Sequence, residues 1–245
     1  MNCIGQRALK FRMAAFALSV LALLFAAAVR PAQAQTLKVD SNYEISGAGY
    51  KAVTTSDGTG ELPHKIALPA GSSSMTFAIY GGTITKGRCT AACITITGGS
   101  NYNDADGVGS GVSANIRSDL SISGIQAPNL GFVTGVFESG APKGDAPVTL
   151  DFDTIGTDFT SLSPVLQQQL FFIGDGLTGD GTGSVQVLSV PSGAKSLYLG
   201  ITDACNGTGQ PSCYGDNTGD FIVSYAISTE SGLPTLKTFS PAKGR

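Results

Sequence analysis

Short segments in which apolar residues alternate with polar ones recur along most of the chain, separated by clusters of Gly, Asn, Asp and Pro. The clearest series lie at 75–79, 197–201 and 221–227. A period of two puts alternate side chains on the same face of a β-strand. The 33 glycines, together with only 13% charged residues, fit short strands joined by tight turns. The pattern therefore predicts an all-β fold, arranged as an antiparallel β-sandwich.

Weaker alternation predicts four further strands, at 94–96, 120–122, 148–152 and 185–187. One short helix is predicted at 163–170, where Pro164 suits the first turn. The sequence shows neither an internal repeat nor an interdomain linker, so residues 35–228 are predicted to form a single domain. Residues 229–245 contain two prolines and few apolar side chains, which predicts a loosely ordered tail.

The N-terminus has the features of a secretory signal peptide, residues 1–34. A basic stretch precedes an apolar run at 13–29, and Ala32-Gln33-Ala34 supplies the small residues that a signal peptidase requires. Cleavage after Ala34 would leave a secreted or periplasmic protein that begins at Gln35. The apolar run is shorter than the about 20 residues of a spanning helix, although an uncleaved anchor is the alternative. No later apolar stretch is long enough to cross a bilayer, so no integral membrane segment is expected after cleavage.

Charge and cysteine content narrow the possible partners. The net charge of −3 provides no basic surface for nucleic acid, so none is expected as a partner. Four cysteines remain after loss of the signal peptide, and an even number in an exported chain favours disulfides. Proximity suggests the pairs Cys89–Cys93 and Cys205–Cys213, although four cysteines allow three pairings. A zinc site is the rival, but neither spacing matches the usual zinc knuckle.

Catalytic motifs are missing from the sequence. His64 is the only histidine, and its position in a loop beside Pro63 is typical of a solvated surface residue. The sequence contains no nucleophile elbow, zinc-protease motif or phosphate-binding loop. A pair of carboxylates could hydrolyse glycosides, but sequence alone cannot place two of them across a cleft. We therefore predict that the protein is not an enzyme.

Three loops combine oxygen-bearing side chains with glycine, the composition that suits Ca²⁺. The first two, at 103–107 and 175–183, also read as ordinary turns, because Asp and Gly are common turn residues. In the third, Asp203 follows one predicted strand, and Asp216 and Asn217 precede the next. A Cys205–Cys213 bridge would bring the two ends of this loop together. The alternative is a disulfide-pinned hairpin loop without metal.

The segment 185–227 carries a resemblance to a known family. It reads VQVLSVPSGAKSLYLGITD, then a loop, then YGDNTGDFIVSYAI. This segment resembles the C-terminal half of the bacterial PA-IL-type lectins, jelly-roll β-sandwich proteins that bind galactose through Ca²⁺. The resemblance implies a calcium ion bound by side chains of Asp203, Asp216 and Asn217. It further implies backbone carbonyl ligands from Cys213 and Lys86.

The same resemblance implies carbohydrate as the partner. In such a site two sugar hydroxyls replace water on the ion and contact Asp203, Asp216 and Asn217, while Tyr214 is the nearest aromatic candidate for a sugar face. The chain departs from the family at Asp216, where the family has Asn, and in a longer loop that carries the disulfide. It also lacks the His-Pro-x-Gln stretch that grips galactose.

Two hypotheses about function follow from these observations. The first is a secreted calcium-dependent carbohydrate-binding protein with a galactose-binding-like sandwich. The second is a structural or cell-surface interaction protein whose loop is either stabilised by calcium or free of metal.

Overall fold

The computed structural model describes residues 34–55, 57–80, 84–85, 88–89, 94–95, 102–108, 110–163 and 165–229. Nearly all regular structure in these residues is β-strand, so the prediction of an all-β fold is confirmed. The predicted signal peptide and C-terminal tail lie outside the described residues, apart from Ala34 and Thr229. In chain order the strands are β1 (Gln35–Asp40), β2 (His64–Ala67), β3 (Ser72–Tyr80), β4 (Ile84–Thr85), β5 (Arg88–Cys89), β6 (Ile94–Thr95), β7 (Tyr102–Asn103), β8 (Ala114–Ile116), β9 (Ile125–Ala127), β10 (Val133–Glu138), β11 (Leu150–Asp151), β12 (Ser161–Leu162), β13 (Leu170–Phe172), β14 (Leu177–Gly179), β15 (Thr182–Val185), β16 (Val187–Ser189), β17 (Ser196–Ile201), β18 (Thr208–Gly209) and β19 (Thr218–Thr229).

The strands form two sheets that we call principal, a third sheet of four strands and two separate strand pairs. The first principal sheet has the order β12-β16-β3-β19-β6-β7. The strand β1 also belongs to it and pairs with β19 on the side of β19 opposite β3. The second has the order β13-β10-β17-β2, and a third sheet has the order β11-β9-β8-β18. Two further sheets of two strands each, β14-β15 and β4-β5, are present in the described residues. Most pairs are antiparallel, but β9–β11, β12–β16 and β8–β18 are parallel.

Buried apolar side chains from both principal sheets and from the third sheet form one hydrophobic core. In β3 and β19 the alternation behaves as predicted at Met75, Phe77, Phe221, Val223 and Tyr225, which are buried between half-buried or exposed neighbours. In β17 Leu197 and Leu199 are buried, but their neighbours Ser196 and Gly200 are buried as well. The aromatic centre is formed by Phe132 and Phe172, whose rings lie 4.9 Å apart, with Phe152 5.7 Å from Phe172. Burial of each such ring contributes about 1.5–3 kcal/mol to folding.

The prediction of a helix at 163–170 is wrong. In the described part of this segment Gln168 has a left-handed backbone, with φ of 64°, and its N–H donates to Phe137 O at 2.9 Å. The Gln169 amide donates to Val148 O at 2.8 Å. These contacts bind the segment to neighbouring strands and replace helical hydrogen bonds. The described α-helix is instead α1 (Phe152–Ile155), which begins where Asp151 accepts hydrogen bonds from the N–H groups of the first turn.

Three weaker strand predictions need correction. At 120–122 the chain makes a tight turn in which Leu120 is 65% exposed with φ of 48°, so it does not share a face with buried Ile122. At 148–152 only Leu150–Asp151 is a strand. At 185–187 the alternation is real but reversed: both valines are exposed, while Gln186 is buried and donates to Thr157 O at 2.6 Å.

Candidate functional site

The third predicted calcium loop lies at 203–220, and its part between the two strands, residues 202–217, is called the site loop below. The site loop joins β17 to β19, which lie in different sheets, so it crosses from one principal sheet to the other. The Cys205–Cys213 disulfide closes it, with Cα atoms 5.4 Å apart, and confirms that predicted pair. The Ser212 N–H donates to Asp203 O at 3.3 Å and narrows the loop further.

Asp203 is a buried carboxylic acid at the start of the site loop. Its exposed fraction is 2%, and burial raises its pKa to about 8, with the nearby carboxylates of Asp216 and Asp57 adding to the rise. The Asn217 amide and the Ala204 N–H bond the carboxyl group and oppose this rise. Among the described residues nothing donates to Asp203 Oδ2. An ionised carboxylate is costly in such a place unless a cation or further donors accompany it.

Asn217 lies against Asp203 at the other end of the site loop, as predicted. It is 4% exposed, and its amide nitrogen donates to Ser41 O at 3.1 Å, which fixes the orientation of the amide. Its Oδ1 has no partner in the part of the chain that the structure describes. Asp216, the third predicted side-chain ligand, is exposed and close enough to Asp203 to raise its pKa.

Several unpaired buried oxygens belong to residues of the site loop or to Ser41, which accepts the Asn217 amide. Eight buried side-chain oxygens lack a hydrogen-bond partner in the described residues, and four of them belong to Ser41, Thr202, Asp203 and Asn217. Buried polar atoms are normally paired, so each unpaired one needs an explanation such as an ion. Uncharged and anionic oxygens are the ligands that Ca²⁺ prefers, so the donor set fits that ion.

Tyr214 does not occupy the place that a sugar contact requires. Its ring is 1% exposed, so it offers no face to a sugar, and the prediction for this residue needs correction. The hydroxyl donates to Ile201 O at 2.9 Å and accepts from the Asp203 N–H at 3.2 Å. Burial raises the pKa of this hydroxyl well above its usual value. Tyr214 therefore ties the start of the site loop to its end, as part of the core.

Cys213 precedes the ligand residues and has a left-handed backbone, with φ of 67°. Its N–H donates to Asp57 Oδ2 at 2.8 Å. Asp57 was not predicted as a site residue, because 156 positions separate it from Cys213 and no local pattern marks such a contact. The predicted carbonyl ligand Lys86, Cys93 and the side chain of Cys89 lie outside the described residues, and so does the predicted Cys89–Cys93 pair.

The other two candidate loops, predicted separately, come together in space. Asp106 Oδ1 from the first loop accepts the Asp175 N–H of the second at 2.8 Å. Burial raises the pKa of Asp106 to about 8 and that of Asp104 to about 7, and the carboxylates of Asp175 and Asp180 add to both rises. Carboxylate oxygens of Asp104 and Asp175 already accept backbone N–H groups, as those of turn residues commonly do.

A small cleft of about 100 Å³ opens beside these two loops. Its polar lining residues are Asp106, Asn129, Thr157, Asp158 and Asp180. Val108 and Leu177 supply its apolar surface. His64, the lone histidine of the sequence, lies in β2 and does not line this cleft.

Within the described residues no three Asp, Glu, His or Cys side chains converge closely enough to hold a metal ion. A calcium site in the site loop would therefore use amide and carbonyl oxygens beside its carboxylates. The described part of the chain also contains no helix of the length and hydrophobicity needed to span a membrane.

Comparison of the chain with protein-family models, with curated proteins and with solved structures gives no match. The functional assignment therefore depends on the residues of the site.

Proposed function

We propose that this protein is an exported, calcium-dependent carbohydrate-binding protein in which the two principal sheets form a lectin-like sandwich. The ion would be held by the site loop, through Asp203, Asp216 and Asn217, with backbone carbonyls such as that of Cys213 completing the shell. Ca²⁺ supplies a positive charge and open coordination positions that hydroxyl oxygens can fill.

The observation that supports this proposal most strongly is that the contacting residues Asp203 and Asn217 both carry an unpaired buried oxygen. Folding removes these atoms from water without providing donors, which costs about 1–3 kcal/mol for each uncharged group and more for a charged one. A divalent cation would offset this cost, because it attracts several oxygens at once and favours the ionised form of Asp203. Water in place of the ion could donate to these oxygens but would leave the carboxylate charge uncompensated.

Asp216 gives the site its exposed side. Because Asp203 and Asn217 are almost fully buried, any sugar would reach the ion from the direction of Asp216. Two neighbouring hydroxyls could replace water on the ion there and donate hydrogen bonds to the Asp216 carboxylate. Tyr214 takes no part in sugar contact in this arrangement, because its ring lies in the core.

A second candidate function is favoured by the same burial. If the shell of the ion is completed by protein oxygens, calcium would stabilise the site loop without binding a sugar. The protein would then be a structural or interaction protein with a calcium-stabilised loop. The 2% exposure of Asp203 and 4% exposure of Asn217 support this candidate.

Calcium titration by calorimetry tests the shared part of both proposals. We expect binding in the micromolar to millimolar range, abolished in Asp203→Asn and weakened in Asp216→Asn. Asp153→Asn is the matched control, because Asp153 is an exposed aspartate on α1, outside the site loop. No binding heat and no calcium-dependent rise in Tm would refute both.

A glycan array read with calcium and then with chelator separates the two candidates. Chelator-sensitive binding that Asp216→Asn abolishes supports carbohydrate recognition. Calcium binding without any glycan signal leaves the structural candidate.

A further inference from the structure

Hydrogen bonds to Thr59 and Cys213 hold the Asp57 carboxylate against the site loop. Asp57 Oδ1 accepts the Thr59 N–H at 3.0 Å and the Thr59 hydroxyl at 2.9 Å, while Oδ2 accepts the Cys213 N–H at 2.8 Å. The Thr55 hydroxyl donates to Thr59 O at 2.6 Å, which further restrains Thr59. The carboxylate therefore has a fixed direction before it meets the site loop. These hydrogen bonds hold the pKa of Asp57 below its ordinary value, so it is ionised at neutral pH.

The residues that follow Asp57 continue the contact with the site loop. A methyl group placed on Gly60 would lie 3.4 Å from Tyr214 Cβ and 3.2 Å from Glu44 Cβ. One placed on Gly215 would lie 3.1 Å from Thr59 Cγ2. Asp57, Thr59 and Gly60 thus meet three consecutive residues of the site loop, from Cys213 to Gly215. We call residues 57–60 the latch.

The contact falls on a residue of the site loop that has a left-handed backbone. A left-handed backbone at a residue other than glycine costs about 1–2 kcal/mol, and Cys213 has this conformation. The next residues, Tyr214–Asp216, form a 3₁₀ turn. Its N-cap residue is Cys213, which makes no side-chain capping hydrogen bond. The direction of the chain at Cys213 therefore decides where Asp216 and Asn217 lie. A charge-assisted hydrogen bond to the Cys213 N–H stabilises this direction.

We propose that Asp57 is a positioning residue for the calcium site, and that it holds the site loop in its ligand-binding conformation before the ion arrives. This inference rests on the proposed calcium binding for its consequence, but the preorganisation of the loop can be measured without the ion. Without the latch, the loop would populate other conformations. The calcium affinity would then be the intrinsic affinity multiplied by the fraction of molecules in the ligand-binding conformation.

The experiment compares Asp57→Ala with wild type and with Asp151→Ala. Asp151 is the matched control, because its carboxylate also accepts backbone N–H groups, at the start of α1. Asp57 is exposed at the surface, so water can reach the Cys213 N–H in the variant and the fold should persist. Calcium affinity is measured by calorimetry, and amide hydrogen exchange of the peptide that covers the site loop is measured in chelator.

We expect Asp57→Ala to bind calcium about three- to tenfold more weakly and to exchange the site-loop amides faster in chelator. Asp151→Ala should match wild type in both. Asp57→Asn keeps one acceptor oxygen, so its calcium affinity and exchange rates should lie between those of Asp57→Ala and wild type. Unchanged exchange in Asp57→Ala would overturn the inference. If wild type binds no calcium while the exchange difference persists, the latch is supported and the proposed function alone fails.

Discussion

At the scale of single residues, Tyr214 links the candidate calcium site to the hydrophobic core. Its hydroxyl satisfies two backbone groups at once, Ile201 O and the Asp203 N–H, at a place where water has no access. An unsatisfied buried backbone group costs free energy comparable to a lost hydrogen bond, so this one hydroxyl stabilises the folded state through two backbone groups.

We expect Tyr214→Phe to lower the free energy of unfolding by about 1–3 kcal/mol, because it leaves both backbone groups unpaired. Urea unfolding monitored by fluorescence or circular dichroism measures the change. Tyr225→Phe is the matched control, since the Tyr225 hydroxyl bonds Gln35 Oε1 in a partly exposed position where water can replace it. Equal losses in the two variants would contradict the role given to the Tyr214 hydroxyl.

The sequence identified some site residues and could not identify others. Asp203 and Asn217 were predicted together because both flank one loop between strong strand patterns, and the structure brings them into contact. Tyr214 was placed on the surface because a loop tyrosine carries no sequence mark of its burial. Asp57 was missed because its contact depends on how distant segments pack, which only the complete fold decides.

At the scale of elements, strand prediction succeeded where the alternation was long. β3, β17 and β19 were predictable because five or more residues keep the period of two, and one register then buries a whole apolar face. At 185–187 the series was too short to choose a face, and Gln186 points inward because Thr157 O is there to accept its amide. At 120–122 a reverse turn produces the same short pattern without a strand.

The disulfide is the element that closes the site loop, and its removal should weaken the domain. In the chain-entropy account, a bridge across eight residues stabilises the folded state by about 2–3 kcal/mol. We expect the double variant Cys205→Ser, Cys213→Ser to lose this amount in urea unfolding. A loss below about 0.5 kcal/mol, the usual size of a neutral surface change, would show that the latch and Tyr214 hold the loop without the bridge.

At the scale of the whole molecule, buried carboxyl groups shape the stability of the protein. Burial raises the pKa of Asp203 and Asp106 to about 8 and that of Asp104 and Glu138 to about 7. Three of these groups lie in the candidate calcium loops, where neighbouring carboxylates add to the rise. Glu138, at the end of β10, is different, because burial is the cause of its shift and its Oε1 has no partner in the described residues.

These shifts predict the direction in which stability depends on pH. A carboxyl group whose pKa is higher in the folded than in the unfolded state binds more protons when folded, so its contribution is complete below the unfolded value. That contribution is lost as the pH rises through the folded value. In chelator, the free energy of unfolding should therefore fall between about pH 4 and pH 8. Saturating calcium should reduce this fall, because it favours the ionised form of Asp203.

The variant Glu138→Gln isolates a part of the pH dependence of stability that does not involve the candidate calcium loops. The variant keeps the shape of the side chain and removes its titration, so the fall in stability between about pH 5 and pH 7 should be smaller than in wild type. Urea unfolding at a series of pH values, in chelator, measures it, with the exposed Glu61→Gln as the control. A stability that rises over this interval in wild type would contradict the buried, proton-binding state of these carboxyl groups. It would also weaken the case for a cation at Asp203, because an easily ionised carboxylate there would not need one.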